Sequence, residues 1–270
     1  MLKLTQLGEW RNGLREGLKN LWAQVHVGSN PTSPTMAKQA TAPTWTPELA
    51  YAIGLLVTDG SLSKDGRHIV FRSSDYQLLE VYKRCLGLQQ SIVPTSIGVE
   101  SWTKKQSYRI QFSNAGLYRW LETIGLTPAK TFTIGALDLP DKYFIGFLRG
   151  HLDGDGTIRS YTDNYNSYRG RKYRNERLAI FFISASNNHI LWLRSRILEL
   201  TGCTGAMISY KMRSGNFMWV IKYSKKESIT LLKQIYYSNE LPCLQRKMLI
   251  AFEALKRCSA EKRKTYSRIS

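Results

Sequence analysis

The order of elements read from the sequence predicts a mixed α/β chain built of two similar halves. Three observations carry this. The segments AIGLLVTDG at 52–60 and LRGHLDGDG at 148–156 are one helical pattern written twice. Each is followed by strand, helix, strand and helix patterns in the same order. A proline-marked stretch at about 127–140 separates them.

In the first half, Thr46 is placed as N-cap, with Pro47 and Glu48 in the first turn of a helix that ends at Asp59-Gly60. Alternation over 68–73 predicts a strand paired with 61–63 through the Asp65-Gly66 turn. Asp75 then starts a helix with Leu78, Leu79, Val81, Tyr82 and Leu86 on its buried face. A second hairpin has Tyr108, Ile110 and Phe112 alternating with Arg109 and Gln111, and a helix through Leu117, Trp120, Leu121 and Ile124 stops at Gly125. The second half repeats this as a motif helix from Asp141, a strand at 178–184, a helix at 187–200, a hairpin at 206–223 and a helix at 226–237.

Within the paired motif helices, Ala50, Gly54 and Thr58 recur every fourth residue, as do Gly146, Gly150 and Gly154. Residues four apart share a helix face, so each helix presents a stripe of small side chains that admits close approach of another backbone. Asp59 and Asp155 follow the two stripes at the same 96-residue offset that separates the stripes themselves. Packing stripe on stripe brings the two carboxylates together. Two such groups repel unless a cation lies between them, and a hard divalent ion with oxygen ligands suits that position. Metal-bridged carboxylates of this kind serve phosphodiester hydrolysis by in-line displacement.

These residues resemble the double signature of the LAGLIDADG homing endonucleases in their single-chain form. Motif positions three, eight and nine are matched by Gly54, Asp59 and Gly60 and by Gly150, Asp155 and Gly156. The resemblance covers roughly 45–255. It implies two αββαββα units related by a pseudo-twofold axis, with motif helices at the interface and two four-stranded antiparallel sheets forming a saddle over DNA. It further implies Asp59 and Asp155 as metal ligands for Mg²⁺, with Mn²⁺ able to use the same ligands. Position six is Asp153 in one copy and Val57 in the other, so Asp153 is not expected to ligate metal. Lys130 and Lys247 lie at comparable points of the halves, where family members carry a basic residue near the cleavage centre; they are catalytic candidates.

Lys and Arg number 39 against 20 Asp and Glu, a net charge of +19, which points to a polyanionic partner. Basic positions alternating with apolar ones select Lys64, Arg67, Arg72, Lys104, Lys105 and Arg109 in the first half as DNA contacts. Lys211, Arg213 and Lys222 are their counterparts in the second. The insert at 161–177 adds Arg169, Arg171, Lys172, Arg174 and Arg177 among four tyrosines. No apolar run is long enough to span a bilayer, the four cysteines form no CxxC pair, and no secretory signal is evident. The cysteines are therefore read as reduced thiols and His151 as a structural histidine. The expected setting is the bacterial nucleoid or an organelle matrix, and not a secretory compartment.

The predicted division is a leader at 1–35, a linker at 36–45, repeats at 46–126 and 141–255 joined by 127–140, and a basic tail at 256–270. In the leader, a short helical pattern from Leu7 to Ala23 precedes Gly28-Ser29-Asn30-Pro31, which back-translates to a stretch like a tRNA T-arm. This suggests read-through from a tRNA gene, with Met36 as the functional start. The expected activity is site-specific, double-strand DNA cleavage by a monomer, across the minor groove of a long target and with staggered ends. The alternatives on the same fold are an intron RNA maturase and a non-cleaving DNA-binding protein.

Overall fold

The computed structural model describes residues 42–95, 106–163, 167–168, 171–172 and 175–266. The leader, its helical pattern and Met36 lie outside the described residues, as do Lys104, Lys105, Arg169 and Arg174. From Thr44 onward the chain forms one compact unit.

Helix α1 (Pro47–Asp59) begins as its sequence dictates, with the Thr46 hydroxyl accepting from the Leu49 amide at 3.1 Å and Pro47 in the first turn. Every residue from Leu49 to Val57 is buried, so this helix is covered on all sides. Strands β1 (Gly60–Leu62) and β2 (His68–Ser73) form the first hairpin, with Gly66 at φ +75° in the turn. Helix α2 (Tyr76–Cys85), strands β3 (Val93–Pro94) and β4 (Tyr108–Ser113), and helix α3 (Ala115–Thr123) complete the half. Asp75 sits at the N-cap of α2, but its carboxylate accepts from Arg246 Nε at 2.8 Å and makes no cap bond.

The second half starts with α4 (Asp141–Gly154) and continues with β5 (Thr157–Asp163) and β8 (Asn175–Ser184). Between them a short ribbon, β6 (Ser167–Tyr168) and β7 (Arg171–Lys172), lies within the basic insert. Helix α5 (Asn187–Thr201), strands β9 (Ala206–Lys211) and β10 (Phe217–Tyr223), and helix α6 (Lys225–Ile235) follow. A further helix, α7 (Gln245–Tyr266), runs through position 255 and packs against β5 and β8, where Arg257 donates to Ser160 Oγ at 2.6 Å.

Each half is thus αββαββα. The sheets have one order, β1-β2-β4-β3 and β5-β8-β10-β9, with neighbouring strands antiparallel. One face of each sheet packs on helices, through Leu62, Ile69, Phe71, Ile110 and Phe112 in the first half and Leu178, Ile180, Phe182, Ile221 and Tyr223 in the second. The halves join along α1 and α4. Cys85, Cys203, Cys243 and Cys258 are buried thiols. Among the described residues, no helix is long and apolar enough to cross a membrane.

Candidate active site and nucleic-acid interface

The small stripes fix how α1 and α4 meet. A Cβ on Gly54 would fall 2.2 Å from the Phe147 carbonyl oxygen, and one on Gly150 would fall 2.1 Å from that of Tyr51. At the next contact, a Cβ on Gly154 would lie 2.0 Å from Thr58 Oγ1 and 3.2 Å from Asp59 Oδ2. The Asp59 carboxylate therefore lies against the last turn of α4, directly before Asp155, the C-cap residue of that helix. Asp59 is half-buried and Asp155 more open to solvent.

The electrostatics express the crowding. Burial, then the neighbouring Asp155 charge, push Asp59 up to about 7, against the pull of Lys247 and Lys130. Burial also raises Asp155, opposed by the same two lysines. Burial lowers Lys130 and Lys247 to about 8 each; Asp155 and Asp59 favour the charged form of Lys130, and Asp153, then Asp155 and Asp59, that of Lys247. Two acids and two bases from the two halves thus form one cluster around the ends of the motif helices.

The lysines are not equivalent in contact. The Lys247 ammonium donates to the carbonyls of Leu152, Asp153, Gly154 and Gly156 at 2.6, 2.9, 3.2 and 2.7 Å, which satisfies the exposed C-terminal end of α4. Lys130 reaches a single carbonyl, that of Thr58, at 3.5 Å. An open cleft of about 370 Å³ beside Asp155 is lined by Gly156, Thr157, Ile158, Arg246 and Lys247.

Asp153 is 1% exposed, and its charge acts on Lys247. Its oxygens accept from Tyr51 Oη at 2.8 Å, Tyr236 Oη at 2.6 Å and the Leu244 amide at 2.7 Å. It ties α1, α4, the residue after α6 and the approach to α7 together. His151 is likewise buried, its Nε2 lying 3.3 Å from Nε2 of His189, whose Nδ1 donates to the Gly135 carbonyl at 3.0 Å. Burial favours the neutral form of both rings, lowering His189 to about 4 and His151 well below its ordinary value.

Sheet register assigns the basic residues to faces. Arg72 on β2 lies directly opposite Arg109 on β4, on the face away from the helices that also carries His68 and Gln111. Lys64 and Arg67 sit in the β1–β2 turn, where Arg67 approaches Asp65 at 3.8 Å. In the second sheet, Lys222 is opposite both Phe181 and Ala206, on the outward face. Lys211 is opposite Phe217, an odd step from Lys222, so its side chain starts from the other face of the sheet. Arg213 is in the exposed β9–β10 turn. Arg177 is exposed on β8 and pairs with Asp163 at 3.0 Å. Arg171 and Lys172 lie on β7, and their side chains are outside the described residues.

Sequence reasoning missed Arg159 on β5. It is exposed, shares the outward face with Lys222, and its guanidinium carbon lies 5.5 Å from the centroid of the Phe181 ring. The alternation Thr157-Ile158-Arg159-Ser160-Tyr161 was the available signal.

Residues 46–125 match the family model described as a LAGLIDADG-like domain. Among solved structures, the fold is similar to that of the I-SmaMI LAGLIDADG homing endonuclease bound to cleaved DNA, at 12% identity over 83% of this chain and 92% of that one, with a TM-score of 0.52. The meganuclease I-SmaMI bound to uncleaveable DNA with a TTGT central four matches at 11% identity over 80% and 91%, with a TM-score of 0.50. Full-length DUF199/WhiA from Thermatoga maritima matches at 15% identity over 86% and 71%, with a TM-score of 0.44. No curated protein matches the chain.

Proposed function

We propose that this chain, a two-repeat protein of the LAGLIDADG-like family by its residues 46–125 and by the fold of both halves, is a site-specific double-strand DNA endonuclease. The observation that carries the reading is the meeting of Asp59 and Asp155 at the ends of two helices that glycine alone allows to approach so closely.

The donors fit a hard divalent ion. Asp59 and Asp155 offer only oxygen, and Asp59 is raised to about 7 by burial and then by the neighbouring Asp155 charge, a repulsion that a cation relieves. Among the described residues no group of three or more His, Cys, Asp or Glu side chains converges to cage a metal. Two carboxylates with positions left for water and phosphate oxygens suit Mg²⁺ or Mn²⁺. The chemistry such an ion supplies when bound is Lewis-acid neutralisation of charge on the scissile phosphates.

The chain's own residues supply the rest. The packed helices hold one acid for each strand at a fixed separation, so both strands are engaged by a single chain. Lys130, buried beside the aspartates with one long backbone contact, directs its ammonium toward the charge developing on a phosphate. Lys247 holds the backbone on which Asp155 stands. The outward sheet faces, through Arg72, Arg109, Arg159 and Lys222, bind backbone and base edges of the duplex. In this reading the acids face the minor groove and cutting leaves staggered ends.

The test is to incubate the protein, with Asp59→Asn and Asp155→Asn variants, with a randomised duplex library in Mg²⁺ or Ca²⁺ and to sequence both ends and bound fragments. The expected result is breaks at one enriched site, dependent on Mg²⁺ and absent from both variants. DNA enrichment without cleavage would replace the nuclease by a DNA-binding protein. No DNA selection at all would remove duplex DNA as the substrate and leave the intron RNA maturase reading.

A further inference from the structure

A second pocket, with basic side chains among a largely apolar lining, lies at the other end of the motif helices. It is open, about 460 Å³ in volume, and is lined by Pro47 at the start of α1, by α4 from Lys142 to Arg149, by Lys233 and Gln234 of α6 and by Tyr237 just after it, with no acidic residue in the wall. The 13 residues of α1 put this end about 20 Å from Asp59, at the helical rise of 1.5 Å per residue. The pocket is therefore distinct from the aspartate cluster and from the outward sheet faces.

Its wall contains an unresolved charge. Arg149 is 1% exposed, and its guanidinium has one hydrogen bond, from Nε to the Ile235 carbonyl at 2.6 Å. Nη1 is buried and has no partner, and among the described residues no carboxylate pairs with Arg149. Asp153, one turn further along α4, is already occupied by three donors. Burying a guanidinium without an anion is costly, and a pocket with two further lysines provides room for one. Gln234 Oε1 in the same wall is a buried acceptor without a donor. Tyr237 is 64% exposed, with the Arg149 guanidinium over its ring, 5.6 Å from the centroid.

A ligand that satisfies all of these groups carries an anion, a hydroxyl donor and a flat ring. We propose that this pocket binds a ribonucleotide, its phosphate held by Arg149, Lys142 and Lys233, a sugar hydroxyl donating to Gln234, and its base stacked on Tyr237. A free nucleotide and a strand of RNA carry the same chemistry. Neither depends on the nuclease reading, because the site shares no residue with the cleavage centre.

The test is equilibrium binding of AMP, dAMP, inorganic phosphate and a short single-stranded RNA to the full chain, to K142A/K233A and to R72A/R109A. Lys142 and Lys233 are exposed, so their removal leaves the fold intact, which thermal unfolding verifies. The expected result is saturable AMP binding, weakened roughly tenfold for each lysine removed, unchanged in R72A/R109A, and stronger than that of dAMP or phosphate. RNA bound more tightly than AMP with the same lysine dependence assigns an RNA strand as source; otherwise the source is the free nucleotide. AMP binding that is absent, or equal in wild type and K142A/K233A, overturns the proposal. So does RNA binding lost only in R72A/R109A, since it then belongs to the sheet faces.

Discussion

Gly54 of α1 and Gly150 of α4 meet backbone to backbone, a Cβ on Gly150 falling 3.1 Å from the Gly54 Cα and 2.1 Å from the Tyr51 carbonyl oxygen. Nothing in that contact is a flexible side chain that can turn aside. Gly54→Ala or Gly150→Ala must therefore separate the helices, at a cost of about 3 kcal/mol or more. Urea unfolding checks this, and a variant within 1 kcal/mol of wild type, by the same estimate, would show that the interface is looser than drawn.

That contact was legible because a four-residue spacing of small side chains can be read without knowing the partner. So was the β1–β2 hairpin, whose Asp65-Gly66 turn is a local signal. Features that depend on distant chain segments were not. Strand β8 starts at Asn175, three residues before the strand predicted at 178, because its end is stabilised by pairing with β5, where Thr162 donates to Glu176. Lys211 looked equivalent to Lys222, but parity along a hairpin depends on the register of β9 against β10, which the sequence leaves open. The His151–His189 contact and the four carbonyls around Lys247 likewise require the assembled fold.

Two acids only two residues apart should behave in opposite ways. Asp153→Ala removes the acceptor for Tyr51, Tyr236 and the Leu244 amide and leaves buried donors unmatched, a loss of about 3 kcal/mol or more. Asp155→Asn relieves repulsion with Asp59 and removes no such network, so its melting temperature should equal or exceed that of wild type without metal. Calorimetry on the pair decides it. Equal destabilisation would mean that Asp155 is also structural.

Lys130 and Lys247 should also separate. Lys247→Met strips donors from four carbonyls at the end of α4 and should lower stability by about 3 kcal/mol. Lys130→Met loses one 3.5 Å contact and should leave stability nearly unchanged while slowing cleavage by about 10²-fold. Unfolding curves and single-turnover cleavage on the selected target provide the comparison. Full cleavage by the Lys130 variant would remove that residue from the chemistry.

The pH dependence follows from Asp59. Its folded value, about 7, exceeds the ordinary 3.8, so between those limits the folded protein holds a proton that the unfolded chain has released. Without metal, this contribution to stability is present near pH 4 and is lost as pH rises through about 7. An ion that binds the ionised carboxylate reverses the trend. The shift in melting temperature on adding Mg²⁺ should grow from pH 6 to pH 8 and be abolished in Asp59→Asn. A shift independent of pH, or one retained in that variant, would place the ion elsewhere.

Arg72 and Arg109 form a like-charged pair directly across two central strands, with their side chains on one outward face. Such a pair costs the free protein a few tenths of a kcal/mol and is explained if a phosphate or a guanine edge lies between the guanidinium groups. Arg72→Ala or Arg109→Ala should therefore leave stability unchanged or slightly raised. Either change should weaken duplex binding and, if its contact is to phosphate, reduce the slope of log affinity against log salt by about 1. If the contact is to a base edge, the slope holds and preference at one target position is lost. Lys211→Ala, starting from the other face of its sheet, should do neither. Filter binding across a salt series, followed by selection on a randomised target, separates the outcomes. An effect of Lys211→Ala equal to that of the arginines would mean that DNA does not lie on the outward faces.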